Sequence, residues 1–222
     1  KGSGAPGVTD GAFASDTSAD CAHVVYQAHS ANRGWSPSVL DGQDAGTTGQ
    51  SLSLQALNVS LSGVDDDSQI EARAHVANIG WQEWQSAGYV GTVGQGLAIQ
   101  ALELRLNGSL ANQYDIYYRV HSAGYGWLGW AKNGDSAGTT GLNIQIEAVQ
   151  IKLVAKGRDP GASSVPAFIS VPALTLQAHV ATLGWMNPVG NGGVAGTTGR
   201  SLAIEALKLN TVSYTHLRAH ET

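Results

Sequence analysis

Period-two alternation of apolar and polar residues opens four segments of the chain. Ile70, Ala72, Ala74 and Val76 share one face, opposite Glu71, Arg73 and His75. Ile116, Tyr118 and Val120 oppose Tyr117, Arg119 and His121, and Leu174, Leu176, Ala178 and Val180 oppose Thr175, Gln177 and His179. This spacing predicts half-buried strands with the histidine on the more polar side. A second strand closes each segment, and its phase slips. Leu52, Leu54 and Ala56 hold one face, then Leu57, Val59 and Leu61 take the other. The same slip recurs at Ala101/Leu102, Ala148/Val149 and Ala206/Leu207. It predicts a bulge or bend, or a stretch buried on both faces. No 3.6-residue periodicity competes.

The pattern is a repeat. His29, His75, His121 and His179 are each followed six residues later by a tryptophan: Trp35, Trp81, Trp127 and Trp185. The histidines stand 46, 46 and 58 residues apart. A glycine-rich element follows in each copy, Gly46-Thr47-Thr48-Gly49 being the first, and suits a turn needing positive φ. Copies span about residues 23–61, 69–106, 115–153 and 173–210. A unit this short cannot bury its apolar face alone and must stack on its neighbours.

The expected class is therefore all-β, with four tandem repeats of about 40 residues. Three copies, residues 23–153, are expected to close as a β-prism-like or trefoil-like unit, and a four-bladed propeller-like closure is the alternative. Residues 154–172 carry Pro160, Gly161, Pro166 and Pro172 and read as a linker before the fourth repeat, 173–210. Residues 1–22 read as a flexible linker. Residues 211–222 match no repeat and resemble translated adapter sequence, so they are set apart as a non-native-looking tail.

These motifs together resemble the clostridial hydrophobic repeat with its tryptophan, the ChW repeat. The best fit runs through Ala178-His179-Val180, Gly184-Trp185, Gly196-Thr197-Thr198-Gly199 and Ile204-Glu205-Ala206-Leu207. Copy two departs at Val93. Gln55 and Gln100 stand where the other copies have Glu147 and Glu205, which argues against a required carboxylate. The resemblance implies a surface module of Gram-positive bacteria that attaches to glycans, cell wall or host surfaces. It implies no catalytic chemistry.

Composition narrows the rest. Charged residues are 13% of the chain, half the ordinary share of about 25%. The net charge of −5 gives no electrostatic reason for nucleic acid or an anionic membrane as partner. No apolar run is long enough to span a bilayer. The single cysteine, Cys21, excludes an intramolecular disulfide. The chain reads either as cytosolic or, as suits a repeat array, as an excised piece of a longer secreted protein, and a secreted or cell-surface location is the expectation.

The candidate chemistry is aromatic. Trp84 and Trp130 occur in only two copies, so the fold does not demand them. With Tyr89 and Tyr125 they are expected to meet a ligand. Trp35, Trp81, Trp127 and Trp185 either anchor the core or stack on sugar rings, since an indole offers a flat apolar platform. His29, His75, His121 and His179 are expected to make structural hydrogen bonds or to touch sugar hydroxyls. One histidine per repeat has no metal-ligand spacing, so no metal and no cofactor is expected. Asp65, Asp66 and Asp67 read as solvated linker charge and lack EF-hand spacing. Gly124-Tyr125-Gly126-Trp127-Leu128-Gly129 matches G-x-G-x-x-G but leads into no helix, so dinucleotide binding is excluded. The expectation is a non-catalytic module binding carbohydrate or cell-wall polymer, with a structural or adhesive array binding a protein, such as a host surface protein, as the alternative.

Overall fold

Alternation in the first strand of each repeat is realised as a strand with one buried face. In a computed structural model, residues 22–161, 163–171, 173–190 and 193–212 are described; Cys21, the rest of the N-terminal linker and residues 213–222 of the tail lie outside them. Repeat one comprises β1 (His23–Ser30), β2 (Gly34–Trp35), β3 (Val39–Leu40), β4 (Ala45–Gly46) and β5 (Leu54–Ser62). Repeat two comprises β6 (Gln69–Val76), β7 (Gly80–Trp81), β8 (Tyr89–Gly91) and β9 (Ile99–Asn107). A one-turn helix, α1 (Leu110–Gln113), precedes repeat three: β10 (Tyr114–Ser122), β11 (Gly126–Trp127), β12 (Ala131–Lys132), β13 (Ala137–Thr140) and β14 (Ile146–Ala155). After β15 (Phe168–Ser170), repeat four comprises β16 (Ala173–Val180), β17 (Gly184–Trp185) and β18 (Ile204–Val212). The protein is all-β with four repeats, and α1 is the one helix among the described residues.

In β1, Val24, Tyr26, Ala28 and Ser30 are buried, while Val25, Gln27 and His29 are half-covered. The first strand then turns tightly into the Gly-Trp strand. Residues Asn32, Asn78, Gly124 and Thr182 and, two positions on, Gly34, Gly80, Gly126 and Gly184 all have positive φ. The space around the first three of these glycines is open, so backbone conformation alone explains the residue.

The predicted slip is a bulge. His29 pairs with Ala56 and Ser30 with Leu54, which leaves Gln55 as the extra residue. Gln100, Glu147 and Glu205 are the extra residues in the other copies. The bulge lies one residue before the change of face. Leu54 to Leu57 are also all buried, so the second explanation holds there too.

Two compact units form. One runs to Thr139 and includes Asn143–Phe168; the other comprises Thr140–Leu142 and the residues from Ile169. Within the first, the repeats exchange strands in a ring. Strand β8 of repeat two pairs with β5 of repeat one. Strand β13 of repeat three pairs with β9 of repeat two. Strand β4 of repeat one pairs with β14 of repeat three. Every repeat lends one short strand and receives one, and the ring closes with three copies rather than four blades. Closure covers the outer edge of each second long strand.

The lent strands fit only because of glycine. A Cβ on Gly46, Gly91 or Gly138 would lie closer than 3.0 Å to the carbonyl oxygen of Glu147, Gln55 or Gln100 in the neighbouring repeat. The Gly-Thr element is thus a close-approach site as well as a turn. Two tyrosines bind the ring further. Tyr26 is buried, its hydroxyl donates to Gln43 O, and it accepts Ile151 N–H at 3.1 Å. Tyr118 donates to Asp135 O and packs at the equivalent junction between repeats three and two. Asp67 accepts the Ser109 N–H and hydroxyl at 3.0 and 2.7 Å, which ties together the linkers on either side of repeat two. The acidic run therefore has a structural task at Asp67.

Candidate binding surface

Each hairpin places the motif tryptophan opposite its histidine. Trp35 is the register partner of His29, Trp81 of His75, Trp127 of His121 and Trp185 of His179. The rings meet edge-on, with centroids 5.4, 5.4, 5.6 and 5.2 Å apart. Such cross-strand aromatic pairs stabilise a two-stranded ribbon. Trp81 and Trp127 are half-buried, whereas Trp35 and Trp185 are exposed.

The imidazole also faces the bulge. His179 Nδ1 lies 3.0 Å from Glu205 Oε2. His121 Nδ1 lies 3.1 Å from Glu147 Oε2, close but not aligned as a hydrogen bond. In repeat two, Gln100 fills that place, and burial holds the His75 imidazole below its usual pKa despite the contact with Gln100. All four histidines thus meet their tryptophans, and His75, His121 and His179 also meet the bulge residue.

Repeats two and three carry a second feature. Arg73 lies over Trp81 at 5.0 Å and over Trp84 at 4.8 Å, and Arg105 lies over Trp84 at 4.2 Å. Repeat three repeats the file: Arg119 lies over Trp127 at 5.1 Å and Trp130 at 4.7 Å, and Lys152 over Trp130 at 4.2 Å. Indole and cation therefore alternate along the less buried sheet face, each cation attracted to the ring quadrupole.

The two files differ in charge. Arg73 pairs with Glu103 at 2.6 Å and Arg105 with Glu71 at 2.6 Å. In repeat three, Arg119 donates to Gln150 at 2.7 Å and Lys152 donates to Pro160 O. Among the described residues no carboxylate ion-pairs with either. Burial, then the nearby Arg119, lowers the Lys152 pKa, and Asp159 acts in the opposite sense. Positive charge is therefore concentrated around Trp130.

Tyr89 stands apart from Trp84, although the sequence puts them in one loop. It starts β8, and its ring lies 5.8 Å from Trp35 of repeat one. Repeat one thus presents His29, Trp35 and Tyr89 together. Tyr125 is exposed at the tip of the β10–β11 turn. Among the described residues, no three His, Cys, Asp or Glu side chains gather as a metal site, and no helix is long and apolar enough to cross a membrane.

The cationic half of this surface is missed by sequence reasoning, though a signal exists. The two copies with a second tryptophan also have arginine two residues before the histidine and a cation late in the second long strand. Copies one and four have Gln27 and Gln177, and Ser60 and Asn210, at those places.

The family model described as clostridial hydrophobic W matches four times, at residues 29–63, 75–108, 121–155 and 179–213. A search of curated proteins found no match. A search of solved structures found none either.

Proposed function

The chain belongs to the clostridial hydrophobic W family, and on that premise we propose that it is a non-catalytic, secreted or cell-surface module that binds carbohydrate or cell-wall polymer. The carrying observation is the file Trp127–Arg119–Trp130–Lys152. An indole supplies an apolar platform for a sugar ring, and cations beside it supply donors for hydroxyl, carboxylate or phosphate oxygens. The file of repeat two and the His29–Trp35–Tyr89 cluster add further points of contact around the ring. Weak contacts repeated on one scaffold suit a polymer, because each bound site raises the effective concentration at the next.

A second reading is an adhesive array that binds protein. Leu207 and Leu209 favour it, since both are largely exposed on the fourth repeat.

Retention on purified Gram-positive cell walls and insoluble polysaccharides tests the first reading. The chain is expected to be retained, and a Trp84→Ala, Trp130→Ala variant is expected to be lost from the pellet. A folded chain that no wall or polysaccharide retains overturns it and leaves the protein-binding reading.

A further inference from the structure

Two of the three junctions in the ring are sealed by side chains that the third lacks. Tyr26 and Tyr118 seal the junctions of repeat one with three and of repeat three with two. Repeat two has Ala72 at that position. The loop that follows differs too. Asp41 Oδ1 accepts Val24 N–H at 2.9 Å, and Asn133 Oδ1 accepts Ile116 N–H at 3.0 Å. The main-chain N–H of each returns a bond, to Val24 O at 3.3 Å and to Ile116 O at 3.2 Å. Repeat two has Ala87 there, which carries no side-chain acceptor.

Ile70 is the counterpart of Val24 and Ile116. Ala72 N–H and C=O both bond to Gln85 at 2.9 Å, outside the β6–β9 ladder. Antiparallel pairs alternate, so the Ile70 N–H and C=O point the same way two residues earlier. Neither has a hydrogen-bond partner among the described residues. Ile70 is buried, and an unpaired donor and acceptor at a buried residue are uncommon. The adjoining corner is open as well. Gly42 and Gly134 N–H donate to Ile151 O and Leu104 O at 2.6 and 2.7 Å, and Gly88 makes no such bond to Val59.

A cleft of about 330 Å³ opens here, between repeats one and two. Small-ligand sites span about 300–1,000 Å³. Ile70, Ala87 and Gly88 line it from repeat two, and Val59 and Leu61 from repeat one. No lining residue is charged.

We infer that this cleft is a subsite for an uncharged N-acetylated amino sugar unit. The inference rests on the carbohydrate reading above, but not on the tryptophan files. In the sister repeats a carboxylate or carboxamide oxygen sits on the corresponding N–H, and the acetamido oxygen takes that place on Ile70. A neighbouring ring hydroxyl donates to Ile70 O, and the acetyl methyl covers Val59 and Leu61. A plain hexose offers a weaker acceptor and no methyl. A free amino sugar brings an ammonium that meets no carboxylate in the cleft.

The test titrates the full chain, isotopically labelled on nitrogen, with triacetylchitotriose and with cellotriose, which has hydroxyls in place of the acetamido groups. The acetylated trisaccharide is expected to shift the Ile70 amide resonance, and cellotriose to leave it in place. Ala87→Asn gives repeat two the side chain that Asn133 gives repeat three. It is expected to weaken binding of the acetylated trisaccharide about tenfold, with near-ultraviolet circular dichroism unchanged. If that variant does not fold, the Ile70 shift in the unaltered chain still decides. No shift at Ile70, an equal shift with cellotriose, or full-strength binding by folded Ala87→Asn would each overturn the inference. Retention on cell walls without an Ile70 shift would overturn it and leave the proposed function standing. An Ile70 shift in a chain that no wall or polysaccharide retains would do the reverse.

Discussion

Gly91 of repeat two rests directly on the carbonyl of Gln55 in repeat one. A Cβ there would also lie 2.9 Å from Ala56 Cα. Gly91 has φ +91°, so an L side chain is disfavoured by conformation as well as by space. Backbone strain and overpacking each cost about 1–3 kcal/mol. Gly91→Ala is therefore expected to lower the denaturation midpoint of the three-repeat unit markedly. Gly196→Ala has the conformational cost without a neighbouring backbone to strike, so its effect is smaller. Chemical denaturation of the two variants side by side measures the difference, and equal losses would show that only φ matters.

Tyr26→Phe removes one hydroxyl with two partners. Ile151 N–H, deep in the ring, loses its acceptor, and Gln43 O loses a donor. Leaving a buried backbone donor unpaired costs about 1–3 kcal/mol. Burial pushes the Tyr26 hydroxyl up to about 12, because the ionised form is poorly solvated there. The sign follows: its contribution is fully present below the unfolded tyrosine pKa and fades as pH rises toward 12. The variant is expected to be less stable at pH 7 and to lose part of the alkaline dependence in urea titrations followed by tryptophan fluorescence.

Much of the repeat was legible because its cues are local. Alternation in Ile70–Val76 marks the strand and its polar face, and four histidine–tryptophan hairpins share one spacing. The slip at Ala56/Leu57 marks the bulge to within one residue, since inserting Gln55 necessarily exchanges the faces. The ring exchange was not legible, because Ala45–Gly46 is two residues long and its partner, Ala148–Val149, lies about a hundred residues away. Periodicity carries no information on such pairing. The local sequence accounts for Gly46 through its φ alone, and the Glu147 carbonyl against it leaves no signature there. Arg119 and Lys152 look like solvated polar-face charges until the hairpin sets Trp130 under both.

His75 gives the protein an acid-sensitive element. Burial lowers its pKa below the usual 6.5, and contact with Gln100 offsets part of the shift. The unfolded chain then binds a proton more readily than the folded one. Stability from His75 is present above about pH 6.5 and declines as pH falls through the unfolded and then the folded value. His75→Gln keeps a polar side chain there without a titrating group. Thermal melts between pH 7.5 and 5 are expected to show a shallower decline for the variant. An identical pH dependence would place the sensitivity elsewhere.

Charge around Trp130 sets the polymer class that the proposed binding surface prefers. Arg119 and Lys152 both lie over that ring without an ionic partner among the described residues, while Arg73 and Arg105 over Trp84 are each matched by a carboxylate. An acidic polysaccharide is therefore expected to bind more tightly than a neutral one, with most of the preference coming from repeat three. Solvent-exposed charge pairs contribute about 0.2–1 kcal/mol, so Lys152→Gln is expected to weaken binding of the acidic polymer about 1.4- to fivefold. Its affinity for neutral polymer should hardly change. Salt should erode the preference, since screening shortens the reach of exposed charges. Affinity electrophoresis in gels containing acidic or neutral polysaccharide, at low and high salt, reads all three effects. A Lys152→Gln variant with the wild-type preference would remove charge from the recognition and leave the indole platform to account for it.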